Sequence, residues 1–225
     1  MSLTTSSIND AARAEREAMV ERQVRTWDVL DERVLDLMRR VPREHFVPAE
    51  HRYLAFADME VPLPHAQHML SPKVVGRLLQ ALDVTGSERV LQIGAGTGFV
   101  TACLASCAAH VRSLEFFADL AERARANLAA LGLSNVEIVT ADANDIDTAT
   151  RFDAVALTAS VPRYPENLQR LLRPGGRAFF VVGQPPVMEA LLVRCVSEDA
   201  YARETLFETL IDPLINASRP PAFTV

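Results

Sequence analysis

The sequence has little of what marks several classes of protein. Its 225 residues include only three cysteines, Cys103, Cys107 and Cys195, which are too few for a disulfide framework and fit a reducing compartment. No run approaches the roughly 18 apolar residues of a membrane span, and the N-terminus lacks the apolar core of a secretory signal. Acidic residues outnumber basic ones, 29 to 23, so the net charge of −6 argues against nucleic acid held by a broad basic surface. We therefore expect a cytoplasmic protein that binds neither nucleic acid nor membrane.

Clustered metal ligands are also scarce. Cys103 and Cys107 would share one face of a helix, but no further His or Cys pair accompanies them at a suitable spacing. Buried structural cysteines are the simpler interpretation. His65 and His68 likewise lack the additional ligands that a zinc site needs. The sequence therefore predicts no metal centre.

What the sequence does have is a regular alternation of helix and strand patterns from residue 73 onward. Short apolar runs typical of buried strands alternate there with amphipathic stretches typical of helices. The predicted helices are 73–82, 99–109, 118–131 and 165–172, and the predicted strands are 89–93, 111–115, 136–140, 153–157 and 177–182. Two more strands, 191–196 and 205–210, are expected as an antiparallel pair at the sheet edge. This order predicts an α/β fold with a doubly wound, mostly parallel, Rossmann-like sheet.

The first third of the chain has a different character. Helices are predicted over 10–26, with Asp10 as a possible N-cap, and over 31–40. Residues 42–72 are rich in proline and histidine, yet apolar side chains interleave them, which is typical of an ordered and functional loop. The fold class therefore includes an N-terminal helical extension.

The length suits one large α/β domain with an added lobe. We divide the chain into N-terminal helices with a substrate loop, residues 1–72, and a cofactor-binding domain, residues 73–225. The two parts are expected to form one compact unit.

A glycine-rich turn follows the first strand of the second part. Residues 90–98 read VLQIGAGTG, so a buried strand runs into a tight turn and then a helix. In such sheets ligands bind at the carboxyl ends of strands, and glycines let the backbone approach a ligand closely. The spacing is GxGxG rather than the GxGxxG of dinucleotide sites, so it favours a nucleoside without a pyrophosphate, such as the sulfonium nucleoside S-adenosylmethionine. A plain tight turn is the alternative, and a nicotinamide oxidoreductase is disfavoured.

Two acids follow at neighbouring strand ends. Glu115 closes the next strand, where its carboxylate can accept hydrogen bonds from a ribose diol. Asp142 ends the strand after that, where it can bind an adenine amino group. The alternatives are a solvated acid at 115 and a helix N-cap or loop acid at 142. The predicted cofactor-binding residues are the turn, these acids and their neighbours: Gln92, Gly94, Ala95, Gly96, Gly98, Glu115, Phe116, Asp142, Ala143 and Thr158.

These features, with the LRPGG turn at 172–176, resemble class I S-adenosylmethionine methyltransferases. The segments 19–25, 31–35 and 41–48 are similar to protein-L-isoaspartate O-methyltransferases, and the resemblance extends over roughly residues 18–183. It implies S-adenosylmethionine as cofactor, S-adenosylhomocysteine as product, and methylation of the free carboxylate of isoaspartyl residues in damaged proteins or peptides. A different methyl acceptor for the same fold remains open, as does a cofactor-binding protein with weak or no repair activity. We expect a monomer or a small homo-oligomer.

The chain departs from the family pattern where the acceptor should bind. The family motif GQTIS-Q-P carries a serine beside the reacting carboxylate. Alignment on Gln67 and Pro72 places Leu70 at that serine and Ser71 one position late. One interpretation of His65 and His68 is that they are packing or surface residues. As site residues, its candidates are catalytic Ser71 and His68, and substrate-binding His65, Gln67 and His68.

Gln92 is a second departure, because the family usually has an acid before Ile-Gly. The departures together indicate a divergent member of the family. A carboxylate acceptor is already ionised at neutral pH, since its ordinary pKa is about 4, so the implied reaction needs no general base. Alignment of the reactants and exclusion of water are then the main tasks of the enzyme.

Overall fold

The computed structural model describes residues 5–217, with side chains from residue 10 onward. Helices form its N-terminal part: α1 (Thr5–Met19), α2 (Glu32–Arg40) and the short α3 (Arg43–Phe46). A π-helical turn, Val20–Val24, and a 3₁₀ turn, Arg25–Trp27, continue α1. The helix predicted over 10–26 is therefore present, but its C-terminal half is irregular.

The two predicted helix starts have different outcomes. Asp31 caps α2, since its carboxylate accepts a hydrogen bond from the Arg33 backbone N–H (2.9 Å). Asp10 lies inside α1, because that helix already begins at Thr5. The prediction of Asp10 as an N-cap is therefore wrong.

The proline-rich segment 42–72 contains several short elements rather than one loop. After α3 come a 3₁₀ turn (Ala49–Leu54) and a hairpin of two antiparallel strands, β1 (Val61–Leu63) and β2 (Gln67–Met69). His65 and Ala66 form the tip of the hairpin with positive φ angles of 63° and 53°. The hairpin pairs Pro62 with His68, so it fixes the direction of the residues predicted to bind substrate.

Seven strands form the main sheet. Its helices and strands alternate along the chain: α4 (Pro72–Leu82), β3 (Arg89–Ile93), α5 (Phe99–Ala105), β4 (His110–Glu115), α6 (Ala118–Ala130), β5 (Val136–Thr140), β6 (Phe152–Val161), α7 (Glu166–Gln169), β7 (Leu172–Gln184), β8 (Val187–Ser197) and β9 (Ala200–Glu208). The strand order is β5-β4-β3-β6-β7-β8-β9, with β3 to β7 parallel and β8 and β9 antiparallel. The predicted doubly wound sheet with an antiparallel edge pair is confirmed. Because β3 lies between β4 and β6, its carboxyl end is the topological switch point of the sheet.

Two predicted helices are shorter than expected. Helix α5 ends at Ala105, because a closing turn, in which the Cys107 N–H donates to the Leu104 carbonyl (3.1 Å), leads directly into β4. Helix α7 has only four residues, because Leu172 already pairs with Phe152 of β6. A local turn therefore sets the end of α5, and long-range strand pairing sets the end of α7.

Apolar side chains pack against both faces of the sheet. In β3, Val90 belongs to the cluster under α4 and α5, whereas Leu91 and Ile93 belong to the cluster on the opposite face. Leu35 and Met38 of α2 join the first of these clusters. Both predicted parts of the chain thus contribute to one core, which supports the proposal of a single compact unit.

Arg43 connects the N-terminal segment to the sheet domain. Its guanidinium is fully buried, and it donates through Nε to the Ala55 carbonyl (3.0 Å) and through Nη2 to the Leu70 carbonyl (2.9 Å). It also lies over the Phe99 ring, 5.0 Å from the ring centre. Burial lowers the pKa of Arg43 to about 10. The chain before α4 is therefore held in place by a buried cation that bonds two of its carbonyls.

Two kinds of feature are missing from the part of the chain that the structure describes. None of its helices is both long enough and apolar enough to cross a bilayer. No three of its His, Cys, Asp or Glu side chains are grouped so as to hold a metal ion.

Candidate active site

The glycine turn after β3 depends on backbone angles that only glycine adopts easily. Gly94, Gly96 and Gly98 have positive φ angles of 93°, 54° and 96°. A Cβ at Gly94 would lie 2.5 Å from Thr158 Oγ1, closer than real Cβ atoms come. The Gly94 N–H donates to the Leu114 carbonyl (2.9 Å), which ties the turn to the end of β4. The turn is therefore a fixed and closely approachable surface at the switch point.

Gln92 supports this turn from below. The side chain is fully buried, donates through Nε2 to the Gly94 carbonyl (2.9 Å) and accepts through Oε1 from Thr101 Oγ1 (2.7 Å). An ionised acid at this position would accept hydrogen bonds only and could not bond that carbonyl. Gln92 does not line the cavity beside the turn, and its hydrogen bond to the Gly94 carbonyl supports the backbone of the turn.

Glu115 stands at the end of β4, beside the turn. It is 5% exposed, and its Oε2 accepts from the Gly96 N–H (2.7 Å) while Oε1 accepts from the Phe117 N–H (3.0 Å). Burial raises the pKa of Glu115, and the backbone hydrogen bonds oppose that shift. Each oxygen retains a lone pair, so the carboxylate can still accept from a ligand.

Asp142 forms the turn cap that the sequence offered as an alternative to binding adenine. Its carboxylate caps a 3₁₀ turn (Ala143–Asp145), accepting from the Asn144 N–H (2.8 Å), and it also accepts from Asn216 Nδ2 (2.7 Å). These bonds lower the pKa of Asp142. Its neighbours line the cavity at the strand ends, but Asp142 does not.

The strand-end cavity, as we name it, lies across the carboxyl ends of β3, β4, β5 and β6. Its walls are completed by the β1–β2 hairpin and by residues 212–215. It brings together eight of the predicted site residues: Gln67, His68, Gly94, Gly96, Glu115, Phe116, Ala143 and Thr158. Six others lie outside its lining: His65, Ser71, Gln92, Ala95, Gly98 and Asp142. Of these, Ala95 lines a smaller adjoining cavity together with Arg43.

His68 meets an acid that the sequence did not indicate. Its Nδ1 lies 2.9 Å from Asp212 Oδ2, and the side chain of Glu60 also lines this part of the cavity. The pKa of Glu60 is raised, first by burial and then by the negative charge of Asp212, while His68 opposes the shift. No local pattern could have revealed a pair separated by 144 residues.

The remaining loop candidates point elsewhere. His65 Nε2 bonds Asp119 Oδ1 (2.9 Å), and its ring stacks on Phe117 with a 4.0 Å centroid distance. Ser71 is the N-cap residue of α4, buried and outside both cavities, whereas Leu70 lines both of them. The residue aligned with the family serine therefore faces the site, and the serine one position later does not.

The strand order, the glycine turn after the central strand and the carboxylate at the end of β4 define the class I S-adenosylmethionine-dependent methyltransferase fold. The family model "Protein-L-isoaspartate(D-aspartate) O-methyltransferase (PCMT)" matches residues 14–212. The chain belongs to this methyltransferase family.

Individual relatives agree with this assignment. A protein-L-isoaspartate O-methyltransferase of Rhodopseudomonas palustris is 39% identical over 201 residues, covering 88% of this chain and 92% of the relative. One from Methanoculleus marisnigri is 39% identical over 175 residues, covering 77% and 80%. The resemblance predicted from the sequence is confirmed.

Two solved structures have folds similar to that of this chain. A Plasmodium falciparum structure, assigned to the protein-L-isoaspartate O-methyltransferases and in complex with S-adenosyl-L-homocysteine, has a TM-score of 0.76. It is 19% identical and covers 88% of this chain and 97% of its own. Another protein-L-isoaspartate O-methyltransferase has a TM-score of 0.74 at 21% identity, covering 88% and 65%. These identities support the fold alone.

Proposed function

We propose that this protein binds S-adenosylmethionine in the strand-end cavity and methylates the side-chain carboxylate of isoaspartyl residues in damaged proteins or peptides. The observation that carries the proposal is the juxtaposition of Glu115 with the glycine turn, in a cavity whose opposite wall is the hairpin. Family membership supports the reaction type, and the names of the relatives support the acceptor.

The residues at the cavity fit an S-adenosyl group. Gly94 and Gly96 present bare backbone, so a ligand can approach without meeting a Cβ. Glu115 offers acceptor lone pairs to the ribose hydroxyls, and Phe116 and Ala143 line the same cavity and offer apolar surface to the base. The turn lacks the GxGxxG spacing that seats a pyrophosphate, which suits a nucleoside without one.

The other predicted cofactor residues support the site indirectly. Gln92 braces the glycine turn, while Ala95 and Gly98 belong to its backbone. Asp142 fixes the loop between two residues of the cavity wall. Thr158 Oγ1 donates to the Gly94 carbonyl (2.6 Å) and lines the cavity.

The bound cofactor supplies an electrophilic methyl group. The acceptor carboxylate is ionised at neutral pH, so the protein's task is to align it and to exclude water. Leu70 and Leu63 give the hairpin wall an apolar surface suited to excluding water.

Labelled methyl transfer tests the proposal. A peptide with one isoaspartyl residue should become labelled, while the same peptide with normal aspartate should not. Calorimetry with S-adenosylhomocysteine, in parallel, should report binding. Binding of the product without transfer to the isoaspartyl peptide contradicts the proposed acceptor.

We place the enzyme in the cytoplasm, as a monomer or small homo-oligomer. The support for the location is the low cysteine content, three residues in 225, which fits a reducing compartment.

A different acceptor for the same methyltransferase is the second candidate. The observation that favours it is Leu70 at the position of the family serine, in a cavity that the acids Glu60 and Asp212 also line.

A further inference from the structure

Among the described residues that line the strand-end cavity, His68 is the only one whose side chain can become a cation. Three acids line the same cavity, Glu60, Glu115 and Asp212, and its described lining contains no lysine or arginine. Arg43 is fully buried and reaches only the smaller adjoining cavity. An acceptor carboxylate brings one more negative charge, so His68 is the side chain in this wall that can offset it.

His68 is bonded to Asp212 in a way that leaves one ring nitrogen available. The hydrogen bond joins Nδ1 to Asp212 Oδ2 over 2.9 Å. An ionised carboxylate only accepts hydrogen bonds, so the shared proton belongs to Nδ1. Within residues 10–217, no group forms a hydrogen bond with His68 Nε2, and the side chain is 35% exposed. Both a proton from solvent and a ligand can therefore reach Nε2.

Backbone structure fixes both members of the pair. His68 lies in β2, where it pairs with Pro62 of β1. The Ser160 N–H of β6 donates to the Asp212 carbonyl (2.8 Å), and the Leu214 N–H donates back to the Ser160 carbonyl (2.8 Å). The ring is therefore held in place before an acceptor arrives, which lowers the entropy cost of binding one.

The pair borders the space that an acceptor polypeptide needs. His68 and Asp212 line the strand-end cavity together with Gly94 and Gly96, where we propose that the cofactor binds. Asp212 also lines a groove of about 770 Å³ between β6, the β7–β8 turn and residues 210–217. An acceptor residue in the cavity can therefore keep its flanking chain in the groove.

We propose that His68, held by Asp212, takes up a proton when the acceptor enters and binds the acceptor carboxylate as an imidazolium. The inference rests on the proposed methylation of isoaspartyl residues and names the residue that binds their carboxylate in this chain. The proton comes from solvent and moves to Nε2, which donates it in a hydrogen bond to one carboxylate oxygen. An oxygen of that carboxylate forms the bond to the methyl carbon, and the electron pair of the broken carbon–sulfur bond remains on sulfur.

Protonation of the ring changes the charge balance in favour of the acceptor. With a neutral ring, Asp212 and the acceptor carboxylate are two anions, and the Nε2 lone pair faces the acceptor. With an imidazolium between them, each carboxylate has a donor. The methyl ester that forms is uncharged, so the imidazolium loses its anionic partner and can return the proton to solvent. Histidine suits this role because its charge changes between pH 5 and pH 8.

Calorimetry measures the proton directly. An isoaspartyl peptide is titrated into the full-length protein saturated with S-adenosylhomocysteine, in phosphate and in Tris, whose ionisation enthalpies differ. If protonation strengthens binding about tenfold, uptake should reach a maximum of about half a proton per peptide between pH 6 and pH 8. His68→Gln should abolish the uptake and weaken binding about tenfold at pH 6. Binding to wild type without proton uptake overturns the proposal.

Three variants assign the proton to a residue. Asp119→Asn is the matched control, because it alters the similar His65–Asp119 pair outside the cavity and should keep the wild-type uptake. Glu60→Gln removes the acid whose pKa is already raised and should also keep the uptake. Asp212→Asn should reduce it, because the charge that stabilises the imidazolium is gone. Uptake that survives in His68→Gln and disappears in Glu60→Gln belongs to Glu60 and overturns the proposal.

Steady-state kinetics give an independent readout. The acceptor carboxylate is ionised throughout pH 6 to pH 9, so its own titration does not contribute. In wild type, KM for the peptide should rise about tenfold across this range, while kcat changes little. In His68→Gln, KM should be high at pH 6 already and should not depend on pH. A wild-type KM that is independent of pH contradicts the proposal.

The outcomes separate this inference from the proposed function. Methylation of a peptide whose binding takes up no proton overturns the inference and leaves the proposed function standing. Proton-linked binding of the peptide without methylation does the reverse. No binding of the peptide to the S-adenosylhomocysteine complex overturns both. If His68→Gln does not fold, nitrogen NMR of wild type decides: the peptide should convert one histidine to imidazolium, with a signal that Asp212→Asn alters and Asp119→Asn does not.

Discussion

Thr101 Oγ1 donates a buried hydrogen bond to Gln92 Oε1 (2.7 Å) directly beneath the glycine turn. Both side chains are fully buried, so neither atom can turn to water instead. Thr101→Val keeps the shape but leaves the Gln92 oxygen without a donor. We expect the free energy of unfolding to fall by about 1–3 kcal/mol, the cost of an unsatisfied buried polar group. Denaturant unfolding measures the change.

Thr101→Ser is the control for this prediction, because it keeps the hydroxyl and removes only a methyl group. It should cost less than Thr101→Val. Equal stability of the wild type and Thr101→Val would show that the hydrogen bond does not support the turn.

Gly94 should be essential for cofactor binding. In Gly94→Ala the new Cβ would meet Thr158 Oγ1, whose hydroxyl donates to the Gly94 carbonyl (2.6 Å) and also lies 2.9 Å from the Ile93 carbonyl. Because the turn must shift, we expect the affinity for S-adenosylhomocysteine to fall at least tenfold, roughly 1.4 kcal/mol. Calorimetry measures the affinity.

Gly132→Ala separates backbone strain from this close contact. Gly132 has a φ of 70°, but nothing lies within 4 Å of the position that its Cβ would take, so a methyl group there meets open space. The substitution should cost about 1–2 kcal/mol of stability and leave cofactor affinity unaltered. An equal loss of affinity in both variants would mean that global destabilisation, not the turn, explains the result.

Glu60 should make stability depend on pH. Burial and the charge of Asp212 raise its pKa above the ordinary 4.5 in the folded protein. Below pH 4.5 Glu60 is protonated in both the folded and the unfolded chain, so the stabilising effect of its raised pKa on the free energy of unfolding is fully present. As the pH rises, Glu60 ionises first in the unfolded chain. The free energy of unfolding therefore falls until the pH has passed the raised pKa of the folded protein.

Glu60→Gln removes that loss. The variant should therefore gain stability relative to wild type as the pH rises above 4.5, measured by denaturant unfolding between pH 4 and pH 8. In Asp212→Asn the effect of Glu60 should be smaller, because its negative neighbour is gone. Parallel stability curves for wild type and Glu60→Gln would contradict the shifted pKa.

The parts of the site that the sequence could predict depend on short stretches of chain. The glycine turn and Glu115 follow from a strand, a turn and the next strand, whose patterns are each contained in about ten residues. The His68–Asp212 pair could not be found in this way, because only the complete sheet brings Asp212 beside β6. The hairpin β1–β2 was hidden by its prolines, which usually indicate a loop.

The roles of individual side chains were harder to predict than their positions. Gln92 lies in the predicted strand, but the sequence did not reveal that its amide would bond the Gly94 carbonyl. Asp142 was expected either to bind adenine or to cap a turn, and the structure shows the cap, with hydrogen bonds from Asn144 and Asn216. Such choices depend on which partners the tertiary structure supplies.

Leu70→Ser places a hydroxyl where the family motif has its serine. Leu70 lines both cavities, and Arg43 holds its carbonyl, so the new hydroxyl would face the site. One added hydrogen bond to the acceptor carboxylate, about 1 kcal/mol, should raise kcat/KM for an isoaspartyl peptide by roughly fivefold. The loss of a large buried side chain should lower stability by about 2 kcal/mol or more. Ser71→Ala is the matched control: its hydroxyl lies outside both cavities, so its kcat/KM should stay close to wild type. A large loss in Ser71→Ala, with no gain in Leu70→Ser, would show that Ser71 performs the family serine's role despite its position.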